Sequence, residues 1–387
     1  MHWFWTILGA ALAAVWLHRL LDAALGLPKL PDISQPRWEL SAGQAWPRVS
    51  IIVPARNEEN HAEAAVSSLL ALDYPDYEVF AVNDRSSDRT AEILDRLARE
   101  NPERLCVLHV SELPPGWLGK PHAMGVAAQQ AIGDWLLFTD ADVTFRPHVL
   151  RRAVNYAEES RADHLVLFPT VHMRSVGERM MIGFFQILFL FGHRPWRVSD
   201  PRARDYMGVG AFNLIRRSVY EATGARQALR MDVLDDMKLG KLVKEGGYAQ
   251  RNVFGRDLIT LRWARGTLDV VDNLTKNLFG LMLYRWPRAL GATFLLLLLN
   301  LGPFLGLLLA PGWARMGYAA ALAAMALVYL GMSWYSPIPP YYVLLHPVST
   351  VLFAYTLLSS VFLTLGRGGV VWRGTKYPLE ELRKNLV

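Results

Sequence analysis

The sequence predicts an α/β protein in which a mostly parallel sheet, covered by helices on both faces, is joined to membrane-spanning helices. Short apolar strands alternate with helical segments through the middle of the chain. Polar residues follow several of these strands directly. Long apolar stretches lie near both ends, and the mean hydropathy of +0.15 is too high for an ordinary soluble protein and too low for a transporter-like bundle.

Residues 1–27 predict an N-terminal transmembrane anchor. The segment is nearly uncharged until His18 and Arg19, and it exceeds the roughly 20 residues that one crossing needs. A cleaved signal peptide is the alternative interpretation. The anchor is favoured because no basic stretch precedes the apolar core and no clear small-residue cleavage site follows it.

Residues 286–366 predict about three more transmembrane helices, followed by a basic tail, 367–387. Five consecutive leucines, Leu295 to Leu299, exceed what a soluble core helix normally carries. The apolar stretches run from about Leu290 to Leu309, from about Met316 to Trp334 and from about Val343 to Leu365.

Basic residues beside the spans predict an integral protein of a bacterial-type plasma membrane with its middle block in the cytoplasm. Lys29 follows the first span and Arg288 lies just before the second, so the positive-inside rule places Lys29 to Arg288 in the cytoplasm and Met1 outside. Three further spans would leave the basic tail outside, against the same rule. Either the tail is an exception or one stretch is re-entrant, and irregular backbone is best accommodated at Ser336-Pro-Ile-Pro-Pro340.

Charge and cysteine content exclude other classes. The net charge is +6, which basic residues facing anionic lipid explain better than a nucleic-acid partner does. Cys106 is the only cysteine, so an intrachain disulfide and a cysteine-rich zinc site are both ruled out.

A linker, 28–48, leads to the α/β domain, 49–285. Its predicted strands are Val49–Val53, Tyr77–Val82, Leu105–Val110, Trp135–Phe138 and Leu165–Phe168, each a short apolar run. Its predicted helices are Glu63–Leu72, Ala91–Glu100, Pro121–Ile132 and Met237–Lys244. A further apolar segment, Glu178 to Phe191, is either a helix at the membrane surface or a buried core helix.

Asp140 and Asp142 are the most informative residues of this domain. They end the apolar run that starts at Trp135, and strand alternation would point both carboxylates to the same side. Such a pair suits Mg²⁺ or Mn²⁺, which commonly share their coordination with substrate phosphates. A solvated strand end is the plain alternative. Other polar residues, Arg56 to Glu59 and Asn83-Asp84, also follow strands, where ligands of parallel sheets bind.

The ordered motifs resemble the family 2 glycosyltransferases with the GT-A fold. The resemblance covers roughly Val49 to Arg265, and the membrane helices are similar to those of hopanoid-associated, ceramide and carotenoid glucosyltransferases. The matching pieces are Val49-Ser-Ile-Ile-Val-Pro-Ala-Arg-Asn-Glu-Glu59, Val82-Asn-Asp-Arg-Ser-Ser-Asp-Arg-Thr90, Gly119-Lys120, Phe138-Thr-Asp-Ala-Asp142 and Leu234-Asp-Asp236.

This resemblance implies a role for each matching position. The turn with Pro54, Ala55, Arg56 and Glu58 would hold the nucleotide base, Asp84 the uracil or ribose, and Lys120 would lie near the nucleotide. Asp140 would face the ribose and metal, Asp142 would bind the divalent cation, and Asp236, paired with Asp235, would be the general base. The plain alternatives are a helix-entry turn at Asp84, a surface Lys120 and an acidic helix start at Asp235-Asp236.

A third region, Arg262-Trp263-Ala-Arg265, partly matches the family's Gln/Arg-x-x-Arg-Trp motif. Arg262 and Arg265 would bind diphosphate, since a guanidinium fork suits its oxygens, and Trp263 would stack on a sugar or acceptor. Ile259 stands where Gln or Arg is expected. A juxtamembrane basic turn is the alternative.

The sequence therefore predicts an inverting, metal-dependent hexosyltransferase. The expected donor is a nucleotide sugar, UDP-linked by resemblance, and the expected acceptor is a membrane lipid. Two alternatives stay open: a processive polysaccharide synthase and a non-catalytic, membrane-anchored scaffold that binds nucleotide sugars. The departure at Ile259 and the few C-terminal spans argue against a synthase. The intact carboxylates argue against a scaffold.

Overall fold

A computed structural model describes residues 2–38 and 46–386. Part of the predicted linker, 39–45, lies outside these described residues. The chain forms two compact units. The helical unit comprises Met1–Lys29, Met173–Arg194 and Trp263–Leu379, and the sheet unit comprises Leu30–His172, Pro195–Arg262 and Glu380–Val387.

The described strands number twelve. In chain order they are β1 Val49–Ala55, β2 Tyr77–Asp84, β3 Leu105–Val110, β4 Trp135–Phe138, β5 Val143–Phe145, β6 His164–Phe168, β7 Thr170–Val171, β8 Asn213–Arg216, β9 Gln250–Phe254, β10 Ile259–Leu261, β11 Gly369–Trp372 and β12 Thr375–Pro378.

The described α-helices number fifteen. They are α1 His2–Gly26, α2 Ala62–Leu70, α3 Thr90–Glu100, α4 Gly119–Gln130, α5 Val149–Glu159, α6 Val176–His193, α7 Arg217–Ala222, α8 Ala225–Ala228, α9 Asp235–Glu245, α10 Thr267–Leu281, α11 Trp286–Asn300, α12 Gly302–Leu309, α13 Arg315–Met332, α14 His346–Arg367 and α15 Leu379–Lys384.

The sheet unit is built on a seven-stranded sheet in the order β3-β2-β1-β4-β8-β6-β9. Only β8 runs antiparallel to its neighbours β4 and β6 among these seven strands. The central strands are buried on both faces, as the continuous apolar runs of β1 and β4 require. The predicted α/β class with a mostly parallel sheet is confirmed.

Apolar runs located the first strands well, whereas later strands went unpredicted. β3 and β4 begin and end at the predicted residues. By contrast, β8 and β9 carry buried polar residues at their starts, Asn213 and Gln250, which interrupt the apolar pattern. A three-stranded sheet, β5-β10-β7, was likewise not predicted, because its strands have only two or three residues each.

Part of the predicted linker is packed against the sheet unit. The Ile33 amide donates to the Phe254 carbonyl and the Phe254 amide donates to the Pro31 carbonyl, each over 2.8 Å. Ile33 is fully buried in the core. Residues before the first predicted strand thus extend the edge of the sheet at β9.

In the helical unit, three helical segments are long and apolar enough to cross a membrane: His2–Lys29, Gly312–Met332 and Pro340–Arg367. The predicted span Leu290–Leu309 is not one straight helix. It is a pair, α11 and α12, bent by 49°, with Gly302-Pro303 at the break, where Pro303 lacks an amide for helix hydrogen bonding. Counting the pair as one span gives four.

The apolar helix α6 packs within the helical unit. Its Phe184 ring lies 5.6 Å from that of Phe353 on α14, and Gly183 lies against Ile338, so closely that a β-carbon at Gly183 would come within 2.8 Å of the Ile338 side chain. One face of α6 is therefore buried against neighbouring helices.

Candidate active site

The candidate active site lies along one edge of the seven-stranded sheet. The carboxyl ends of β2, β1 and β4, adjacent in that order, supply Asp84, Arg56 and Asp140. The first turns of α4 and α9 supply Lys120 and the pair Asp235-Asp236. The sheet order thus brings together residues that are far apart in the sequence, as expected for parallel strands.

Asp84, at the end of β2, is a buried carboxylate held by arginines. Its Oδ1 accepts from Arg85 Nε over 2.7 Å and its Oδ2 from Arg85 Nη2 over 3.1 Å. Arg56 Nη1 lies 3.9 Å from Oδ2. Gly119 lies against the same carboxylate, with which any β-carbon there would collide, so glycine is required at the entrance to α4.

The turn after β1, with Pro54 and buried Ala55 on the strand itself, is locked to the turn after β2. The Glu58 amide donates to Thr90 Oγ1 over 2.7 Å, and the Glu59 amide donates to Asp88 Oδ2 over 3.0 Å. Hydrogen bonds to Asp88 outweigh its burial and lower the pKa of its carboxyl group. The two turns therefore form one rigid rim.

Asp140 and Asp142 lie in a turn between β4 and β5, not on a strand. Because β4 ends at Phe138, strand alternation does not apply to Asp140 and Asp142, and the prediction of a shared side from alternation was wrong. The carboxylates are nevertheless close enough to interact. Burial, followed by the charges of Asp140 and Glu58, raises the pKa of Asp142 to about 6.

Lys120 lies among three carboxylates. Its Nζ is 2.7 Å from Asp140 Oδ1 and 3.5 Å from Asp235 Oδ2. Burial alone would lower the pKa of this ammonium, but the charges of Asp140, Asp235 and Asp236 outweigh burial and raise it. Lys120 is therefore charged and is not a freely solvated surface lysine. We call Asp140, Asp142, Asp235, Asp236 and Lys120 the carboxylate cluster.

Asp235 is the more deeply buried of the acidic pair, at 4% exposure. Burial raises its pKa to about 7, with Asp236 and Asp140 adding to the rise and Lys120 opposing it. Its carboxylate faces Lys120 and so connects the first turns of α9 and α4.

Asp236 is oriented by the backbone at both carboxylate oxygens. Gly210 N–H donates to Oδ2 over 2.8 Å and Met237 N–H donates to Oδ1 over 2.7 Å. Burial raises the pKa of Asp236, with Lys120 and these two hydrogen bonds opposing the rise. A half-buried carboxylate, held in one orientation and made more basic, suits the abstraction of a proton.

The donor chemistry of Asp140 and Asp142 fits Mg²⁺ or Mn²⁺. These ions bind through one or two carboxylates while substrate phosphates complete the shell. Across residues 2–38 and 46–386, no three His, Cys, Asp or Glu side chains are grouped so that they could hold a metal. The fit is to an ion whose coordination substrate phosphate oxygens would complete.

Arg262 directly follows β10 and is the last residue of the sheet-unit segment Pro195–Arg262. Trp263 and Arg265 belong to the helical unit. The Trp263 ring stacks on Phe185 at 5.4 Å and 23°, and the Arg265 amide donates to Asp269 Oδ2 over 2.7 Å. Their part in ligand binding stays a prediction.

Two site residues were not found by sequence reasoning. Arg85 lies in the motif Val82–Thr90, which predicted no role for it, although it binds the Asp84 carboxylate. His61 Nδ1 lies 3.1 Å from Glu58 Oε2, and His61 is near enough to Asp142 to oppose the rise in the pKa of that carboxyl group. A sequence signal existed only for Arg85, which directly follows the carboxylate it binds.

Parts of this chain are similar to known glycosyltransferases. Residues 50–224 match the family described as Glycosyl transferase family 2. The chain is 24% identical over 343 residues to a 4,4'-diaponeurosporenoate glycosyltransferase of Staphylococcus aureus, which is 86% of this chain and 89% of the relative. It is 23% identical over 271 residues to the same-named protein of Staphylococcus haemolyticus, 68% of this chain and 71% of the relative.

The solved structure of a mannosyltransferase from Pyrobaculum calidifontis, in complex with GDP-Man and Mn²⁺, has a similar fold. Its TM-score is 0.54 at 21% identity, over 93% of this chain and 99% of that one.

Proposed function

We propose that this chain, a glycosyltransferase with a family 2 domain of the GT-A fold, transfers one hexose from a UDP-sugar to a membrane lipid. The transfer would depend on Mg²⁺ or Mn²⁺ and invert the anomeric carbon. The protein would be integral to a bacterial-type plasma membrane, with the sheet unit in the cytoplasm.

The observation that carries this proposal is the orientation of Asp236. Its two oxygens are fixed by Gly210 and Met237, so it can take the proton of an acceptor hydroxyl as that oxygen attacks the anomeric carbon. A single base that acts on the face opposite the leaving group gives one displacement with inversion. A bound divalent ion would stabilise charge on the departing diphosphate.

Donor binding is assigned to the rim and the carboxylate cluster. Arg56, on the turn after β1, and Asp84, at the end of β2, would hold the nucleoside. Lys120, charged and next to Asp140, would attract the diphosphate. Arg262 and Arg265 would bind the same diphosphate, and Trp263 the sugar or the acceptor.

The lipid acceptor is supported by two observations. The named relatives act on 4,4'-diaponeurosporenoate, a carotenoid. This chain in addition contains three helical segments long and apolar enough to cross a membrane. A membrane lipid therefore fits better than a soluble acceptor.

The test is transfer by the purified full chain in lipid extract with Mg²⁺ or Mn²⁺ and labelled nucleotide sugars, UDP-glucose first. Wild type should yield a discrete lipid heavier by one hexose in mass spectrometry. Asp236→Asn, which keeps the shape and loses the base, should lower turnover by roughly 10²- to 10⁴-fold.

Other outcomes of this assay are equally informative. Equal turnover of wild type and Asp236→Asn would remove Asp236 as the base. Label in an insoluble polymer would indicate a processive synthase. Donor binding without any transfer would indicate a scaffold.

A further inference from the structure

A group of buried polar side chains beneath the candidate site has no role in the chemistry proposed above. His164 on β6, Asn213 on β8 and Gln250 on β9 are exposed by 0%, 2% and 1%. We call these three residues the amide network. Burying polar groups of this kind costs free energy unless their hydrogen bonds are satisfied, so their bonding partners are informative.

The amide network holds the loop before β8 at both ends. Gln250 Oε1 accepts from the Met207 amide over 2.9 Å, and Gln250 Nε2 donates to the Met207 carbonyl over 2.9 Å. At the other end, Asn213 Nδ2 donates to the Val209 carbonyl over 2.8 Å. Three backbone groups of the segment Met207–Val209 are thereby fixed by side chains.

His164 connects the two amides and fixes their orientation. Gln250 Nε2 lies 2.7 Å from His164 Nδ1, and Asn213 Oδ1 lies 3.1 Å from His164 Nε2. The Gln250 amide orientation is set by its bond to Met207, so it donates to Nδ1 and the imidazole proton is on Nε2. A protonated imidazole would place two donors against each other at Nδ1.

The loop transmits this order to Asp236. Gly210, next to Val209, donates its N–H to Asp236 Oδ2. Gly208 lies so close to the Asp236 carbonyl that a β-carbon would collide with it. The loop therefore rests directly on the first turn of α9 with no side chain between them.

We propose that the amide network positions the general base, by holding the loop Met207–Gly210 so that its last amide fixes the Asp236 carboxylate. This rests on the proposed function, in which Asp236 is the base. The three residues are positioning residues, because they touch the loop and not the substrate.

The decisive variant is Gln250→Met, which keeps the length of the side chain and loses its bonds to Met207 and His164. A matched control is Asn252→Leu on the same strand. Asn252 is also buried, and its Nδ2 donates to the Pro195 carbonyl over 3.0 Å, away from the loop. Asn252→Leu removes one buried side-chain hydrogen bond, whereas Gln250→Met removes several, including a 3.3 Å bond to the Gly240 carbonyl. Of the two changes, only Gln250→Met releases the loop.

Gln250→Met should lower kcat by roughly tenfold to a hundredfold, the scale of a small misplacement of a catalytic group, with little change in the donor KM. Asn252→Leu should keep the wild-type kcat once folded protein is counted by thermal unfolding. If Gln250→Met does not fold, Asn213→Ser, which removes the bond to Val209, is measured in its place.

The same assay separates the two ways to fail. If Asp236→Asn is inactive while Gln250→Met matches Asn252→Leu, the amide network is structural only and the proposal is overturned. If Asp236→Asn keeps wild-type turnover, the base assignment fails and the positioning role fails with it.

The helical unit carries a second, independent inference about which side of the membrane the C-terminus occupies. Its starting point is the direction of α1 and α13. Tyr318 Oη donates to the Trp5 carbonyl over 3.0 Å. Farther along, the rings of Trp16 and Tyr329 both lie against that of His346, at 5.9 and 5.8 Å. The two helices therefore run parallel.

Parallel neighbours begin on the same face of the membrane, so the chain between them must cross back. The pair α11–α12 does this. The Trp16 indole donates to the Leu299 carbonyl over 2.8 Å, and Gly306 on α12 lies against Tyr318. The pair thus ascends toward the start of α1, and a 49° bend does not reverse it.

Helix α14 starts at mid-depth and returns toward the start of α11. His346, its first residue, lies 3.1 Å from Asn300 Oδ1 at the end of α11, and the two helices then pack along each other. The irregular segment between α13 and α14 is covered by protein only in part: Ile338 is 2% exposed, whereas Trp334 and Tyr341 are 69% and 65% exposed. Membranes tolerate non-helical backbone where protein covers it, and Ile338 meets this condition.

Contacts of the C-terminal tail also indicate on which side of the membrane the C-terminus lies. Arg230 of the sheet unit donates from Nη2 to Asn385 Oδ1 over 2.9 Å. The Arg230 carbonyl in turn accepts from the Leu118 amide over 2.7 Å, two residues before Lys120. The end of the chain is therefore bound to the sheet unit close in sequence to the carboxylate cluster.

We infer that the chain crosses the membrane three times, by α1, α11–α12 and α13, and that α14 enters from mid-depth and leaves on the face where α1 ends. This removes the conflict with the positive-inside rule, because the basic tail then lies on the same side as the other basic residues. Ser336-Pro-Ile-Pro-Pro340 is the irregular re-entrant segment.

The test uses Cys106, which is exposed on the sheet unit, as the reference. In a Cys106→Ser background, Lys384→Cys places a thiol on the tail, and Trp313→Cys places one between α12 and α13, where Trp313 is 86% exposed. Each is treated with a membrane-impermeant maleimide in sealed vesicles of either orientation.

Lys384→Cys should react in the vesicles in which wild-type Cys106 reacts, and Trp313→Cys only in those of opposite orientation. Detergent should make all three positions reactive, which verifies access. Labelling of Lys384→Cys opposite to Cys106, or of Trp313→Cys on the same face as Cys106, overturns the topology.

Discussion

The carboxylate cluster and the amide network belong to the same sheet unit and differ in how completely their polar groups are satisfied. In the cluster, Lys120 faces several carboxylates, and the pKa values of Asp142 and Asp235 remain raised to about 6 and about 7. In the network, each neutral donor faces an acceptor along the chain of hydrogen bonds from Gln250 through His164 to Asn213.

This difference separates two tasks. A cluster with excess negative charge favours an added cation and a substrate, since further positive charge relieves the repulsion between its members. A satisfied neutral network needs nothing added and keeps the backbone in place. The glycines at 208 and 210 connect the two, because they let the loop reach α9 and Asp140 without a side chain between.

Asp142→Asn is expected to have the largest effect on turnover, because it removes a negative charge from the carboxylate cluster, which favours a cation through its excess of negative charge. If Asp142 binds the divalent ion, several kcal/mol of transition-state stabilisation are lost, which lowers turnover by roughly a hundredfold to a thousandfold. Initial rates would be measured across a titration of Mg²⁺ and Mn²⁺.

A matched control for this change is Asp134→Asn, which directly precedes β4, whereas Asp142 lies in the turn after it. Its exposed carboxylate accepts from the Arg48 amide over 3.3 Å, away from the cluster. Metal dependence unchanged in Asp142→Asn would separate Asp142 from the ion.

Gly210→Ala is expected to have an intermediate effect, because it disturbs the connection between the cluster and the network. The new β-carbon would collide with the Asp140 carboxylate and lie 3.4 Å from Lys120 Nζ. Turnover should fall by roughly ten- to a hundredfold, as measured by steady-state kinetics. Gly331→Ala, where a β-carbon meets open space, should leave the rate unchanged. Equal rates in both variants would mean that the loop adjusts.

The smallest effect on turnover near neutral pH is expected from His164, whose protonation acts on the stability of the network. Burial, opposed by the bond to Asn213, lowers the pKa of His164 from 6.5 to about 4. The unfolded chain takes up a proton as the pH falls below 6.5 and the folded chain does not, so stability is lost between pH 6.5 and 4. The full loss is roughly 3 kcal/mol.

Thermal unfolding across this pH range measures the contribution of His164. His164→Gln should unfold at lower temperature at pH 7 because the network is broken, but its unfolding temperature should depend less steeply on pH than that of wild type. Parallel curves for the two proteins would show that His164 does not contribute to the pH dependence.

Sequence alone identified the parts whose cause is local. Continuous apolar runs predicted β3 and β4 to the residue, since a strand buried on both faces must be apolar along its length. Stretches of about 20 apolar residues predicted helices that are long and apolar enough to cross a membrane. The order of short motifs also indicated Asp84, Lys120, Asp140 and Asp236, each of which the structure places on one edge of the sheet.

Only the tertiary structure decided the features that depend on residues distant in sequence. The amide network gives no local sequence signal, because burial of a polar residue is favourable only with a hydrogen-bond partner, and these partners are distant in sequence. The pairing of Lys120 with Asp140 and Asp235, the break at Gly302 and the parallel course of α1 and α13 have the same origin. Each is fixed by contacts between segments, and a sequence pattern records only what its own neighbours require.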